Sequence, residues 1–292
     1  MKYIAPFLLL WSCLQMLEGQ VSRFREYQKL IQSAEHHTAS GNLQEALDYY
    51  RQAKREHGYL MVRDLNNAAV NAANGQHVAE AAYYILEMAR FGVPMDSIMY
   101  LDAFDSVWAD PTVKKSLDKA SLVQAEGRKN QNARYRKSLD SLHILVARNR
   151  RGEAPDASTL AAGIVKMIDT WGLPSEQIIG VESPDGAALY DDVFEFMAMH
   201  EDAKRWQPWL KRTLYQMLER GCIYPDKVAY WMEVMSKEAI FYPQSGSSMI
   251  KNCEKQQAKF HLQPKAGYLR FRDYLQQSKN TGFRTGYSIS GY

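Results

Sequence analysis

The stretch that decides the fold is Gly41-Asn-Leu-Gln-Glu-Ala-Leu-Asp-Tyr49-Tyr50, followed by Gly58. It returns as Gly75-Gln-His-Val-Ala-Glu-Ala-Ala-Tyr83-Tyr84, followed by Gly92. The offset from Gly41 to Gly75 is 34 residues. In each unit a glycine ends one helix and opens the turn to the next. Small residues, Ala46 and Ala81, let the second helix approach its partner closely, and Tyr50 and Tyr84 fill the groove one turn later. The reading is two antiparallel helical hairpins. Such units bury their apolar faces on a neighbour, so two of them need further helices to pack on.

This period and residue pattern resemble tetratricopeptide repeats, with the alanines one position out of register. The resemblance covers about residues 22–106 and implies a concave groove lined by the first helix of each hairpin. The third helix of the array carries Asn66, Asn67, Asn71 and Asn74. Asparagine is a poor helix former, so four in nine residues need a reason. A carboxamide both donates and accepts, which suits an extended peptide backbone. Polar packing between hairpins is the other reading.

Outward from the repeats, helical periodicity continues along the chain. A third helical pair spans 95–126, broken at Asp110-Pro111, with Asp110 as N-cap and Pro111 in the first turn. Residues 128–151 hold Arg128, Lys129, Arg134, Arg136, Lys137, Arg148, Arg150 and Arg151 against Asp140 alone. Leu139, Leu142, Leu145 and Val146 recur among them at helical spacing, so this is an amphipathic helix with a basic face. Further helices are expected over 159–171, 187–200, 206–220 and 226–237, with Asp156 or Ser158 capping the first and Gly221 closing the third. The fold class is all-α: an array over 20–125, a second helical domain over 126–279 and a tail over 280–292.

The second half carries Trp171-Gly-Leu-Pro174, Ile179-Gly180, a helix ending in His200, then Glu219-Arg-Gly221-Cys-Ile-Tyr-Pro225, Ala229-Tyr230 and Phe241-Tyr-Pro-Gln-Ser245. This order resembles an uncharacterised bacterial helical domain of secreted and cytoplasmic proteins. That domain has a Gly-x-Pro…Gly stretch, a Gln-His near a helix end, a Gly-x-Ile-x-Pro turn and a late Tyr-Gly-Thr-Gln. By position His200 matches the family histidine, with Met199 in place of the Gln. Tyr242 and Gln244 or Ser245 fall near the late motif, with Pro243 in place of the Gly. The family's Asp-Gln…Arg is not reproduced at Ala147-Arg-Asn149-Arg-Arg. The resemblance implies a helical domain and no particular activity.

At the N-terminus, Lys2 precedes an apolar run from Ile4 to Leu17 that is too short for a membrane span. It reads as a signal peptide over 1–19, cut near Gly19–Gln20. The mature protein is then exported, periplasmic or extracellular. Leu10-Trp-Ser-Cys13 weakly resembles a lipoprotein box, which leaves lipid anchoring at Cys13 as an alternative. Cys222 and Cys253 remain, and an oxidising compartment permits one bridge between them.

The chain has 292 residues, 46% apolar and 24% charged, with a net charge of +3. That is enough apolar material for an ordinary core and too little positive charge for a dedicated nucleic-acid binder. There is no His-Glu-x-x-His, no Gly-x-Ser-x-Gly and no phosphate-cradling glycine loop. No cofactor or metal is implied. His36-His37 point about 100° apart on a helix and do not chelate together. Asp191, Asp192 and Glu195 form an acidic helix face. His200 is the one catalytic candidate, with Asp192 to orient its imidazole and Gln244 beside it.

Three functions follow. The first is an exported helical-repeat module that binds an unidentified protein or peptide, with no nucleic acid and no transmembrane span. The second is a hydrolase-like second domain centred on His200. The third is a structural envelope protein.

Overall fold

The computed structural model describes residues 23–99, 101–153, 156–183, 186 and 188–236, together with 257 and 262. Every regular element among the described residues is a helix. None of these helices is long and apolar enough to cross a membrane. The signal-peptide residues, Cys13, Tyr242, Gln244 and Cys253 lie outside the described residues.

The two repeat units become four helices: α1 (23–39), α2 (Leu43–His57), α3 (Val62–Asn74) and α4 (Val78–Arg90). Gly41 and Gly58 take positive φ, +78° and +92°, at the turns that end α1 and α2. Gly75 ends α3 at φ −81°, and the left-handed residue of that turn is its neighbour Gln76. Ala46, Ala81, Tyr50 and Tyr84 are all buried, as their spacing requires. α3 packs on both α2 and α4.

The expected third pair is shorter and more broken than its periodicity suggests. It consists of α5 (Met95–Met99), a 3-10 turn (Asp102–Phe104), α6 (Asp105–Ala109), α7 (Pro111–Leu117) and α8 (Ala120–Asn130). The Asp110 side chain does cap α7, accepting the Thr112 N–H at 2.8 Å ahead of Pro111. α8 lies against α4 at very short range. An added Cβ at Gly127 would sit 2.0 Å from the Arg90 carbonyl oxygen, so only glycine permits this crossing.

The second half comprises α9 (Ala133–Arg150), α10 (Ala157–Trp171), α11 (Glu176–Ile179), α12 (Leu189–Met199), α13 (Gln207–Glu219) and α14 (Pro225–Ser236). Asp156 caps α10 through the Thr159 N–H at 2.9 Å. Gly221, at φ +66°, follows α13. α9 buries Leu139 and Val146 against α10 and α12. A single apolar core runs from Phe24 of α1 to Trp231 of α14. A backbone bond also ties the halves, with Val181 N–H donating to Phe91 O at 3.2 Å; within the second half, Asn132 N–H donates to Ile178 O at 2.7 Å.

Candidate functional site

The start of α3 is the electrostatic centre of the molecule. A helix leaves its first N–H groups without partners inside the helix, and Met61 at the N-cap position offers no side-chain cap. Three side chains from elsewhere in the chain do the capping. Tyr27 Oη accepts the Met61 N–H at 3.0 Å, Glu176 Oε2 accepts the Val62 N–H at 2.9 Å, and Tyr224 Oη accepts the Arg63 N–H at 2.7 Å. The positive end of the helix dipole favours the carboxylate placed there.

Charged groups surround this cap. Arg63 makes a two-pronged pair with Asp226, at 2.9 and 2.8 Å, and its guanidinium lies 4.0 Å from the centre of the Tyr224 ring. Tyr27 donates to Asp64. Lys227 donates to Asp191 at 2.6 Å and to the Gly186 carbonyl at 2.8 Å. Gly186 has φ +74°, and a Cβ there would meet the Tyr224 ring at 2.8 Å and Glu176 Oε1 at 3.0 Å.

Burial raises most of these acids. It pushes Glu176 up to about 7, against the Val62 N–H and the Lys227 charge. It pushes Asp64 up to about 6, against the Arg63 charge. Asp191 also rises by burial, despite Lys227. At Asp226 burial works against the charged form, but the Arg63 guanidinium outweighs it and holds the carboxyl below its ordinary value. Shifted acids in one place are a common mark of an active site. Here Arg63, Asp64, Glu176 and Lys227 expose only 7%, 1%, 2% and 4% of their surface, which leaves no face for a substrate. The cluster is a clasp that joins α1, α3, α11 and α14.

An open groove of about 380 Å³ lies beside the clasp, between α4, α8 and the start of α11. Tyr59 and Phe91 supply its aromatic wall, with ring centres 5.8 Å apart. Asn130, Gln131 and Gln177 supply carboxamides, and Glu87, Glu126 and Arg90 supply charges. Gln131 is fixed by donating to Phe91 O at 2.9 Å, and Gly180 leaves the space its side chain fills. Asn130 and Gln177 are exposed. Gly127 lies in the groove wall, at the crossing of α4 and α8.

The four asparagines of α3 do not form one open face. Asn66, Asn67 and Asn71 are completely buried, and Asn74 is exposed at the helix end. The Asn71 carboxamide meets Thr38 Oγ1 of α1 at 2.9 Å and the Asn67 carbonyl at 3.1 Å. α3 is buried along nearly its whole length, so these amides serve contacts inside the array.

His200 ends α12 half-exposed. Its Nδ1 is 3.9 Å from Asp202 and its ring lies 5.1 Å from Phe196. Asp192 turns to a different histidine, His143 of α9, at 2.9 Å. Glu195 accepts from Tyr230 at 3.1 Å and faces Arg150 at 3.6 Å. The acidic face of α12 is thus divided among separate partners. Among the described residues no three His, Cys, Asp or Glu side chains converge as metal ligands would. Cys222 carries a free thiol, pushed up to about 11 by burial. His37 stacks on Tyr49.

The clasp residues were missed at the level of sequence. Their signal was there: Arg63-Asp64 interrupt the apolar run Leu60-Met61-Val62…Leu65, and Asp226-Lys227 interrupt Ile223-Tyr224-Pro225…Val228. Charges set inside apolar runs need partners when buried. Compared with known proteins, the chain matches no family model, no curated relative and no solved structure.

Proposed function

We propose that the protein is an exported helical interaction module that holds a short polypeptide segment in the groove between α4 and α8. The observation that carries this reading is the lining of that groove. Exposed carboxamides at Asn130 and Gln177 stand beside the aromatic wall of Tyr59 and Phe91. Carboxamides pair with both the N–H and the C=O of an extended backbone, and aromatic walls take up a side chain. The Glu126 carboxylate, beside a Glu87 that is paired with Arg90, favours a basic side chain in the bound segment. Export rests on the apolar run from Ile4 to Leu17 behind Lys2.

The test is selection of displayed random peptides on the full chain, followed by binding of the enriched peptides to Gln177→Trp. Gln177 is exposed on the groove wall, so an indole there fills the groove while leaving the fold intact. Enriched peptides should be rich in Lys or Arg and should lose binding to the variant. Selection that enriches nothing, or peptides that bind Gln177→Trp as well as the parent, would refute the reading.

A further inference from the structure

α9 is the longest helix among the described residues, 18 residues or about 27 Å at 1.5 Å per residue. Arg134, Lys137, Ser141, Ile144, Arg148 and Arg151 recur along it, or just past its end, at steps of three and four. All six are exposed. They form one stripe on its outer face, flanked by the half-buried Asp140, three residues after Lys137 and four before Ile144, which forms no ion pair among the described residues.

The helix sorts its cations. Arg136 and Arg150 turn off the stripe and pair with Glu182 and Glu195. Arg151, at the stripe's end, pairs with Glu153 at 3.3 Å. Among the described residues Arg148 donates only to the Glu153 main-chain oxygen, at 3.2 Å, and meets no carboxylate. Among the described residues no carboxylate pairs with Arg134, Lys137 or Arg148. Ile144 stands in the middle of this row and is 57% exposed.

We propose that this stripe docks the protein on a bilayer surface rich in anionic phospholipid headgroups. A row of fixed cations on a straight helix matches a plane of negative charge, each cation near the surface adding attraction. Ile144 selects the bilayer over a soluble polyanion. At headgroup depth its side chain leaves water, whereas along a glycan or nucleic acid it gains nothing. The stripe has no aromatic ring on which bases could stack. The mode is peripheral: the helix lies on the surface, and a stripe of three unpaired cations gives weak, reversible binding. It is independent of the groove.

The experiment is co-sedimentation of the full chain with vesicles of phosphatidylcholine, with and without phosphatidylglycerol. Binding should appear only with phosphatidylglycerol and should vanish as salt rises from about 0.1 M to about 0.5 M. Each neutralised cation should weaken it about fivefold, so the triple variant Arg134→Gln/Lys137→Gln/Arg148→Gln should lose about a hundredfold. Ile144→Ser should lose several-fold while keeping the salt dependence. A control triple, Lys114→Gln/Lys115→Gln/Lys119→Gln, changes net charge equally on exposed residues of another face and should bind like the parent. Circular dichroism checks that each variant folds. The proposal is overturned by equal binding to pure phosphatidylcholine, by equal loss in both triples, by no binding to either vesicle, or by tight retention on heparin or single-stranded DNA without vesicle binding.

Discussion

Replacing Glu176 with Gln should flatten the pH dependence of stability and raise stability in mild alkali. Glu176 is 2% exposed and its carboxyl is pushed up to about 7 by burial, from an ordinary 4.5. Between those two values the folded chain holds a proton that the unfolded chain has released. Stability from this group is therefore fully present below about pH 4.5 and is lost as pH rises through about 7. The gap is worth about 3 kcal/mol. The groups facing Glu176 are Tyr59, Asp64, Tyr190, Tyr224 and Lys227, and the Lys227 charge already opposes the rise. Asp64 and Glu35 shift in the same sense, to about 6 and about 8. His57, pushed down to about 4 by burial, acts the opposite way, with its stability lost as pH falls below about 6.5. The three raised acids outweigh His57, so stability is expected to fall from about pH 5 to about pH 8. Glutamine keeps an acceptor for the Val62 N–H and carries no charge at any pH. Urea midpoints of parent and Glu176→Gln at pH 5 and pH 8, with unchanged m-values, make the measurement. The variant should match the parent within about 1 kcal/mol at pH 5 and exceed it by about 2–3 kcal/mol at pH 8. A variant less stable than the parent at pH 8 would show that the buried carboxylate is charged and stabilising there, and the reasoning would fail.

Two further substitutions probe the frame. Gly127→Ala should destabilise by about 3 kcal/mol or more, because its methyl would meet the Arg90 backbone at 2.0 Å and push α4 and α8 apart; urea unfolding reads it, and a change under about 0.5 kcal/mol would mean the helices separate freely. Arg63→Met should cost about 3–5 kcal/mol by leaving Asp226 without its partner, and Arg63→Met/Asp226→Leu should recover most of that loss. A double variant as unstable as the single would place the cost in the lost Tyr224 stacking instead.

Local signals were legible where the cause was local. Gly41 and Gly75 mark helix ends, Asp110-Pro111 and Asp156 set helix starts, and the pattern of leucines over 139–146 set α9. In each case a few consecutive residues decide the backbone. The broken run through α5, α6 and α7 was not legible, because the short turns between them depend on packing against α4. The asparagines of α3 mark the boundary between the two kinds of signal. That they needed a reason could be read from helix propensity. Which reason applied turned on whether α3 lay at the edge of the array or inside it. The structure puts it inside, with helices on both sides, and three of the four amides become internal partners.

The same fact explains the clasp. A helix enclosed on every side cannot leave its first N–H groups to water, and the residues before α3 offer no cap. Caps must come from wherever the chain returns to that point, here Tyr27, Glu176 and Tyr224, separated from α3 by 34, 114 and 161 residues. Such long-range partners leave no periodic trace in the sequence. They also place three separate segments at one helix end, so the second half of the chain cannot leave the array without exposing that end. Asp192 makes the converse point. Its type and setting on α12 suggested a carboxylate facing His200, whereas the imidazole beside it is that of His143, at 2.9 Å across the α9–α12 contact. Chemistry can be read from a residue's type, whereas its partner is set by how the helices pack.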